Sequence, residues 1–329
     1  MLLPFVLTAI GFVMLYAGAE WLVKGSASLA RSLGISPVII GLTVVAFGTS
    51  APELVISVVS SLSGRSMIAV GNVVGSNICN TTLVLGAAAI IMPVSADRSV
   101  IRRDIPIMIG ISFLLILLSA NSYISRIEGI MLFAGIIAYI LYNYRLWKKG
   151  AAGTLVPQAT EELIDTKNSG KQAVVNSGLR QGILIVAGIA FVVIGAQVLI
   201  NSVVVIMEGF GVSEKFIGLT IVAVGTSLPE LATSIVAALR KEMDISIGNL
   251  IGSNVFNILS VIGAAAAIRP IVIPGGFVGS GMIIDYGVMI IAAVVPWMLM
   301  RKDLTVGRPG GAMLLLIYTV YIGYLVYTG

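Results

Sequence analysis

The sequence predicts an all-α polytopic membrane protein with ten transmembrane helices, built as two inverted five-helix repeats with discontinuous helices at the midplane. Its 329 residues are 58% hydrophobic and 11% charged, whereas a soluble domain carries about 25% charged residues. The second observation is an ungapped internal repeat, and the third is an uneven distribution of Lys and Arg. Several stretches also exceed the roughly 20 apolar residues that cross a hydrocarbon core.

Hydropathy, with Gly, Pro and charged residues as boundaries, predicts the individual spans. The first stretch, MLLPFVLTAIGFVMLYAGAEWLV, has no basic leading segment and no small-residue cleavage site, so we expect it to be retained as a span. One long polar segment contains KKG, EELID and KNSGK and is predicted to be a linker, at 147–179. The predicted spans are 3–23, 36–62, 67–92, 104–120, 127–146, 180–206, 213–239, 244–268, 282–300 and 310–327.

Lys and Arg fall mainly on one side of the membrane when the spans alternate and the N-terminus is placed outside. The inner side then holds sixteen of them and the outer side four, namely Arg65, Arg126, Lys215 and Arg269. Because cytoplasmic loops carry the excess of positive residues, we expect a cell-membrane protein with both termini outside and the linker in the cytoplasm. The net charge of +5 therefore reflects topology, and no nucleic-acid partner is expected.

The internal repeat relates residues at a constant offset of 177 positions. GLTVVAFGTSAPELVISVVSSL, from Gly41, matches GLTIVAVGTSLPELATSIVAAL, from Gly218, and the match continues without a gap to Pro93 and Pro270. Each half has five spans, an odd number, so the second half must enter the membrane in the opposite orientation. Inverted repeats of this kind are typical of transporters with a midplane site. The predicted division into first repeat, linker and second repeat is 1–146, 147–179 and 180–329.

Polar side chains form stripes with a spacing of four residues, which places each stripe on one helix face. They carry oxygen atoms, the ligand type that Na⁺ and Ca²⁺ prefer. No Lys or Arg accompanies Glu53 and Glu230 at membrane depth, so a mobile cation is the expected counter-ion. For the Ser and Asn positions, helix packing is the alternative. The stripes are Thr49, Glu53 and Ser57; Asn72, Ser76 and Asn80; Thr226, Glu230 and Ser234; and Asn249, Ser253 and Asn257.

Each glutamate follows a proline that interrupts its helix. Pro52 lacks an N–H and clashes with the carbonyl of Gly48, so we expect a break that releases carbonyls around 46–49. Irregular backbone at that depth is tolerated only against protein or a water-filled cavity. The alternative is structural, because Ser50 and Glu53 also have capping-box spacing. Pro229 repeats the arrangement in the second half.

The residue inventory excludes several classes of protein. A single cysteine, Cys79, excludes an intrachain disulfide and a cysteine metal cluster. The absence of histidine excludes Ser-His-Asp hydrolysis and His-ligated metal sites. We therefore expect no enzymatic activity and no resident cofactor. The expected partners are the lipid bilayer and transported ions, and nothing in the sequence points to an obligate protein partner.

GTSAPE and GTSLPE, each followed by GNxxGSNxxN, resemble the two α-repeats of the cation/Ca²⁺ exchanger superfamily. The Pro-Glu form in both halves and the short linker are similar to the prokaryotic sodium/calcium exchangers, whereas proton/calcium exchangers usually carry a different motif. The resemblance covers both halves. It implies an antiporter that exchanges Na⁺ for Ca²⁺ by alternating access, with spans one and six sliding over the other eight.

The resemblance also implies a set of cation ligands. Glu53 and Glu230 would be the carboxylates that Ca²⁺ and Na⁺ share, and Asn80 and Asn257 would line the middle of the site. Part of the family has an aspartate at one of the last two positions, so stoichiometry and the coupling ion stay open here. The remaining implied ligands are Thr49, Ser50, Ser76, Thr226, Ser227 and Ser253, with the carbonyls of Ala46 and Ala223.

Two other functions remain compatible with these motifs. In an H⁺/Ca²⁺ exchanger the same glutamates would take protons in place of Na⁺. A cation channel is less compatible, because inverted repeats with paired broken helices suit alternation better than a continuous pore.

Overall fold

The computed structural model describes residues 2–153, 172–210 and 223–328, and the chain is mostly helical within them. Two predicted features therefore lie partly outside the described residues. They are the middle of the linker, 154–171, and the beginning of the seventh predicted span, 211–222.

The helices of the first half follow the predicted spans in order. Apolar stretches form the long helices, and short π-helical segments interrupt three of them, at Gly41–Val45, Asn80–Val84 and Val100–Asp104. The α-helices are α1 (Leu2–Leu33), α2 (Pro37–Ile40), α3 (Ala46–Thr49), α4 (Ala51–Leu62), α5 (Ser66–Cys79), α6 (Leu85–Ile91), α7 (Ile105–Ser119) and α8 (Arg126–Gly153).

The second half repeats much of this order, including a π-helical segment at Asn257–Ile262 in the position equivalent to that at Asn80. Its α-helices are α9 (Gln172–Gly209), α10 (Ala223–Gly225), α11 (Leu228–Leu239), α12 (Met243–Phe256), α13 (Gly263–Ile268), α14 (Gly276–Gly279), α15 (Met282–Asp303) and α16 (Arg308–Thr328).

Seven described helices are long and apolar enough to cross a membrane, and the bent pair Pro37–Thr49 and Ala51–Leu62 would make an eighth span. Two predicted spans are not among them. For 104–120 the structure has the 15-residue helix α7, and 213–239 is only partly described. The seven helices are Leu2–Leu33, Met67–Ile91, Arg126–Leu146, Gly178–Gly209, Met243–Ile268, Met282–Asp303 and Arg308–Thr328.

Two of these helices form the centre of the molecule. In Met67–Ile91 and Met243–Ile268, 72% and 83% of the most apolar window is buried inside the protein, against 17–33% in the other five. The outer helices expose large apolar side chains, such as Ile127 and Leu316, which are 71% and 63% exposed. Such surfaces are unfavourable in water and match a lipid environment.

The predicted element bounds need correction at two places. Helix α1 continues to Leu33 although the predicted span was 3–23, because the charged residues that ended the apolar stretch are good helix formers. The predicted linker, 147–179, is helical at both ends, where α8 continues to Gly153 and α9 begins at Gln172.

The all-α prediction also missed two short antiparallel ribbons. Strand β1 (Val94–Ser95) pairs with β4 (Thr305–Val306), and β2 (Tyr123–Ile124) pairs with β3 (Ile271–Val272). Each strand has only two residues, too few for any alternating pattern to reveal it. Each ribbon joins one half of the chain to the other.

Helices α1 and α9 pack in direct backbone contact through glycines. A Cβ atom added at Gly188 would lie 2.6 Å from the backbone nitrogen of Leu22, and one added at Gly18 would lie 2.6 Å from that of Val192. Gly11 lies opposite Gly195 in the same way. Since residue numbers rise along one helix as they fall along the other, the two helices are antiparallel.

We predict that Gly188→Ala lowers the melting temperature of the purified protein in detergent. The new methyl group overpacks the contact with α1, at a cost of about 1–3 kcal/mol. Gly182→Ala is the matched control on the same helix, since nothing lies within 4 Å of a Cβ atom added there. It should be neutral or stabilising by up to about 1 kcal/mol. Equal melting temperatures for the two variants would contradict the packing.

Candidate cation site

The two Pro-Glu motifs begin equivalent helices. Ser50 is the N-cap of α4 and Ser227 the N-cap of α11, with nearly identical backbone angles (φ −86°, ψ 8° and φ −89°, ψ 5°). The axis turns by 47° between the helical segments before and after Ser50. This confirms the predicted break, which follows because Pro52 cannot donate to Gly48.

The N-cap serines do not cap their helices with their side chains. Neither Ser50 nor Ser227 forms a side-chain capping hydrogen bond. Instead, the Ser50 hydroxyl donates to Oε1 of Glu230 over 3.1 Å, linking the two halves. The capping-box alternative is therefore wrong in its hydrogen bonds, although it places the helix starts correctly.

The two glutamates are fully buried and have equivalent surroundings. Oε1 of Glu53 accepts a hydrogen bond of 3.4 Å from Ser76, and Oε1 of Glu230 accepts one of 3.4 Å from Ser253. Both carboxylates have 0% exposure. Their second oxygens, Oε2, have no hydrogen-bond partner among the described residues. Unpartnered buried oxygens at two related positions call for an explanation, and a bound cation is one.

The threonines and serines of the motifs differ between the halves. The Thr49 hydroxyl donates to Oδ1 of Asn249 over 3.1 Å and lies 3.4 Å from the hydroxyl of Ser253. The hydroxyls of Thr226 and Ser227 are buried and have no partner in the described part of the chain. Both sets of oxygen atoms lie at the helix break that precedes each glutamate.

The carbonyl of Ala46 is not released as the sequence argument expected. It accepts a hydrogen bond of 3.0 Å from the Ser50 N–H and one of 3.4 Å from the Thr49 hydroxyl. The carbonyl of Gly48 lacks its helical donor, because its donor position is Pro52. Ala223 is the first described residue of α10 and marks the equivalent position in the second half.

Four buried asparagines form a crossed set of hydrogen bonds between the central spans Met67–Ile91 and Met243–Ile268. The amide of Asn80 donates to Oδ1 of Asn254 over 3.2 Å, and the amide of Asn257 donates to Oδ1 of Asn77 over 3.0 Å. Oδ1 of Asn80 and of Asn257 has no partner among the described residues. These hydrogen bonds therefore fix the side-chain amides of Asn80 and Asn257 and leave the Oδ1 atom of each without a partner in the described residues.

Sequence reasoning missed Asn77 and Asn254 because they lie off the four-residue stripes. The signal was present, since each is the first asparagine of GSNxxN in its half. Only the pairing between halves gives these residues a role, and that pairing joins positions 174 to 180 residues apart.

The charges around the site leave its carboxylates unpaired. The ion pairs within the described residues are Arg31–Glu242, Arg103–Asp104 and Arg240–Glu20, and none includes Glu53 or Glu230. No group of three or more Asp, Glu, Cys or His side chains in these residues could hold a metal ion. A cation here would therefore use two carboxylates and neutral oxygens, a donor set that fits Na⁺ or Ca²⁺.

The chain thus combines helices long and apolar enough to cross a membrane with two buried carboxylates at helix breaks. The chain belongs to the sodium/calcium exchanger protein family, whose model matches residues 3–147 and 181–327. It is thus a multi-pass membrane protein of a cation/Ca²⁺ exchanger family.

Similar proteins include the putative antiporter CaxA of Alkalimonas amylolytica, which is 37% identical over 98% of both chains. The sodium/calcium exchanger MaX1 of Methanosarcina acetivorans is 30% identical, again over 98% of both chains. Among solved structures, the sodium-calcium exchanger NCX_Mj soaked with Na⁺ and Ca²⁺ superposes with a TM-score of 0.81, at 28% identity and 98% coverage of both chains.

We predict that Asn254→Leu weakens Ca²⁺ binding about tenfold. The change removes the acceptor that orients the Asn80 amide, and a buried polar group without its partner costs about 1–3 kcal/mol. Equilibrium binding of radioactive Ca²⁺ to purified protein measures the effect. The control is Asn143→Leu, which alters a buried asparagine on α8 whose amide donates to the Tyr139 carbonyl. Equal losses in the two variants would refute a positioning role for Asn254.

Proposed function

We propose that the protein is a secondary antiporter that exchanges Na⁺ for Ca²⁺ across the cell membrane by alternating access, without a resident cofactor. The observation that carries the proposal is the pair of fully buried carboxylates, Glu53 and Glu230. Within the described residues, each has an unpartnered oxygen and neither forms an ion pair. Burying charge in a membrane is costly, so ionisable residues at this depth normally serve transport. The sodium/calcium exchangers among the similar proteins support the same ions.

The proposed architecture is ten spans in two inverted five-helix repeats, 1–146 and 180–329, joined by the 147–179 linker. The contacts between halves support it. Strands β1 and β3 occupy equivalent positions in the two halves, at the offset of 177. They do not pair with each other, because β1 pairs with β4 and β3 pairs with β2. The glycine contacts of α1 and α9 show the same exchange. Gly11 lies opposite Gly195, the repeat partner of Gly18, and Gly18 lies opposite Gly188, the repeat partner of Gly11. Such exchange between partners is expected when a pseudo-twofold axis lies in the membrane plane.

The proposed orientation places both termini outside and the linker in the cytoplasm. Contacts between loops agree with the charge count. Arg31, in the last turn of α1, bonds Glu242 over 3.0 Å, which joins two segments assigned to the inner side. Arg269, assigned to the outer side, donates to the Leu62 carbonyl over 3.0 Å, next to the outer loop that contains Arg65.

The proposed ligands of the transported ions divide into two carboxylates and a set of neutral oxygens. Glu53 and Glu230 together neutralise one Ca²⁺. When no ion is bound their charges repel each other, which would hinder the empty transporter from changing sides. The neutral ligands proposed are the side chains of Thr49, Ser50, Ser76, Asn80, Thr226, Ser227, Ser253 and Asn257, with the carbonyls of Ala46 and Ala223.

The difference between the two N-cap serines supports alternation. Ser50 bonds Glu230, whereas Ser227, its repeat partner, has no partner among the described residues. In an inverted repeat, a state in which Ser227 is bonded and Ser50 is free would open the site to the opposite side of the membrane. The glycine contacts of α1 and α9 would let these two helices move together over the remaining spans.

Na⁺ is favoured over H⁺ as the coupling ion because of the neutral oxygens. A proton needs only a carboxylate, while Na⁺ needs several oxygen ligands. Asn257 can carry neither a charge nor a proton, so only Glu53 and Glu230 contribute charge to the site. If three Na⁺ exchange for one Ca²⁺, as the family resemblance suggests, each cycle moves one charge. The membrane potential then contributes about 2.3 kcal/mol per 100 mV.

We predict that Glu53→Gln and Glu230→Gln each reduce Ca²⁺ flux in proteoliposomes to background while the protein stays folded. The amide keeps the shape of the side chain and removes its charge. Glu20→Gln is the control, since this carboxylate is paired with Arg240 away from the site, and its flux should persist. Wild-type flux in either site variant would exclude that glutamate as a ligand.

We predict that an outward Na⁺ gradient drives Ca²⁺ uptake into proteoliposomes more strongly than a pH gradient of equal size. Uptake should also respond to an imposed membrane potential, because each cycle moves net charge. Uptake that follows pH and ignores Na⁺ would replace this proposal with H⁺/Ca²⁺ exchange. Ca²⁺ flux that needs no counter-ion gradient would favour a channel.

A further inference from the structure

A cavity of about 520 Å³ with a basic lining lies between the end of α15 and the π-helical segment before α7. Arg98, Arg102, Arg301 and Lys302 line it, together with one acidic residue, Asp303. Four positive charges and one negative charge give the lining a formal charge of +3. No ion pair to these four cations is formed by the part of the chain that the structure describes. The cavity is therefore suited to an anion.

An aromatic side chain fixes one wall of this cavity. Nε1 of Trp297 donates to the carbonyl of Ile101 over 3.0 Å, which ties α15 to the π-helical segment. The guanidinium carbon of Arg301 lies 4.9 Å from the centre of the Trp297 ring, within the range of a cation–π interaction. One cation of the lining is thus held in place before any ligand binds.

The cavity lies where two apolar helices end. Arg301 is in the last turn of α15, and Arg102 lies one turn before Pro106, at the start of α7. Cations and Trp at helix ends are characteristic of the membrane interface. On α15, beyond the cavity, Ile291 and Met298 are 53% and 63% exposed. A basic cavity therefore adjoins an apolar surface.

We propose that this cavity binds the phosphate group of an anionic phospholipid. An arginine guanidinium group can donate two parallel hydrogen bonds to the oxygens of one phosphate. Basic pockets between membrane helices also bind anionic lipid headgroups. A lipid fits better than a soluble phosphate because its acyl chains would continue along the exposed apolar side chains of α15. The site is separate from the buried glutamates, so lipid binding does not depend on the transported ion.

Native mass spectrometry of the detergent-purified protein tests this assignment, with phosphatidylglycerol as the anionic lipid and phosphatidylcholine as the neutral one. We expect phosphatidylglycerol to bind more tightly. Its affinity should fall about fivefold for each cation removed, or about twenty-fivefold in Arg102→Gln/Arg301→Gln. The control is Arg145→Gln/Lys148→Gln, which removes the same charge from exposed positions on α8 and should leave the affinity unchanged.

A second pair, Arg98→Gln/Lys302→Gln, repeats the test without disturbing the Trp297 contact, and a melting curve verifies folding of every variant. An equal loss in the cavity pairs and the control pair would overturn the proposal, because it would indicate general surface charge. Inorganic phosphate that displaces phosphatidylglycerol at comparable concentration would also overturn it, and would assign the cavity to a soluble phosphate. Since no transport is measured, failure here leaves the exchange proposal standing.

Discussion

Two carboxylates are buried without a positive partner in the described part of the chain, and this is the constraint on which the rest of the structure depends. Glu53 and Glu230 are removed from solvent within helices that carry no other charged residue, and an uncompensated charge in such surroundings costs several kcal/mol. Hydrogen bonds from the hydroxyls of Ser50, Ser76 and Ser253 reduce this cost, but one oxygen of each carboxylate remains unsatisfied in the described structure. The arrangement is stable as a binding site and unfavourable as a structural core, which is why we assign it to a transported cation.

The internal duplication explains how such a site can form. Each half supplies one broken helix and one continuous buried helix, and the hydrogen bonds at the centre run between halves as well as within them. Ser50 reaches the glutamate of the other half, and the asparagines of the two central spans bond each other. Neither half alone would satisfy its polar groups, so the site exists only where the two meet. Because of this mutual dependence, a change in one half alters the surroundings of the carboxylate in the other half.

Much of the helix pattern could be predicted from sequence, and so could several of the residues that the structure brings together around the buried glutamates. Proline chemistry located the break at Ser50, and the constant offset of the repeat located the second motif. What escaped prediction depends on contacts distant in sequence. The two-residue strands have no periodicity, the hydroxyl of Ser50 could have capped its own helix, and Asn254 gains a role only opposite Asn80. Lys24 ended the first predicted span although it continues the helix, because hydropathy marks the apolar core and not the helix end.

The central claim is that Ca²⁺ lies between the two glutamates, and an anomalous difference map from crystals grown with Ca²⁺ and without Na⁺ tests it most directly. The account predicts a single internal peak whose distances to a carboxylate oxygen of Glu53 and to one of Glu230 are about 2.3–2.6 Å. Addition of Na⁺ should remove the calcium peak, because the two ions share ligands. A Ca²⁺ peak elsewhere in the helices, with none between these carboxylates, would contradict the account.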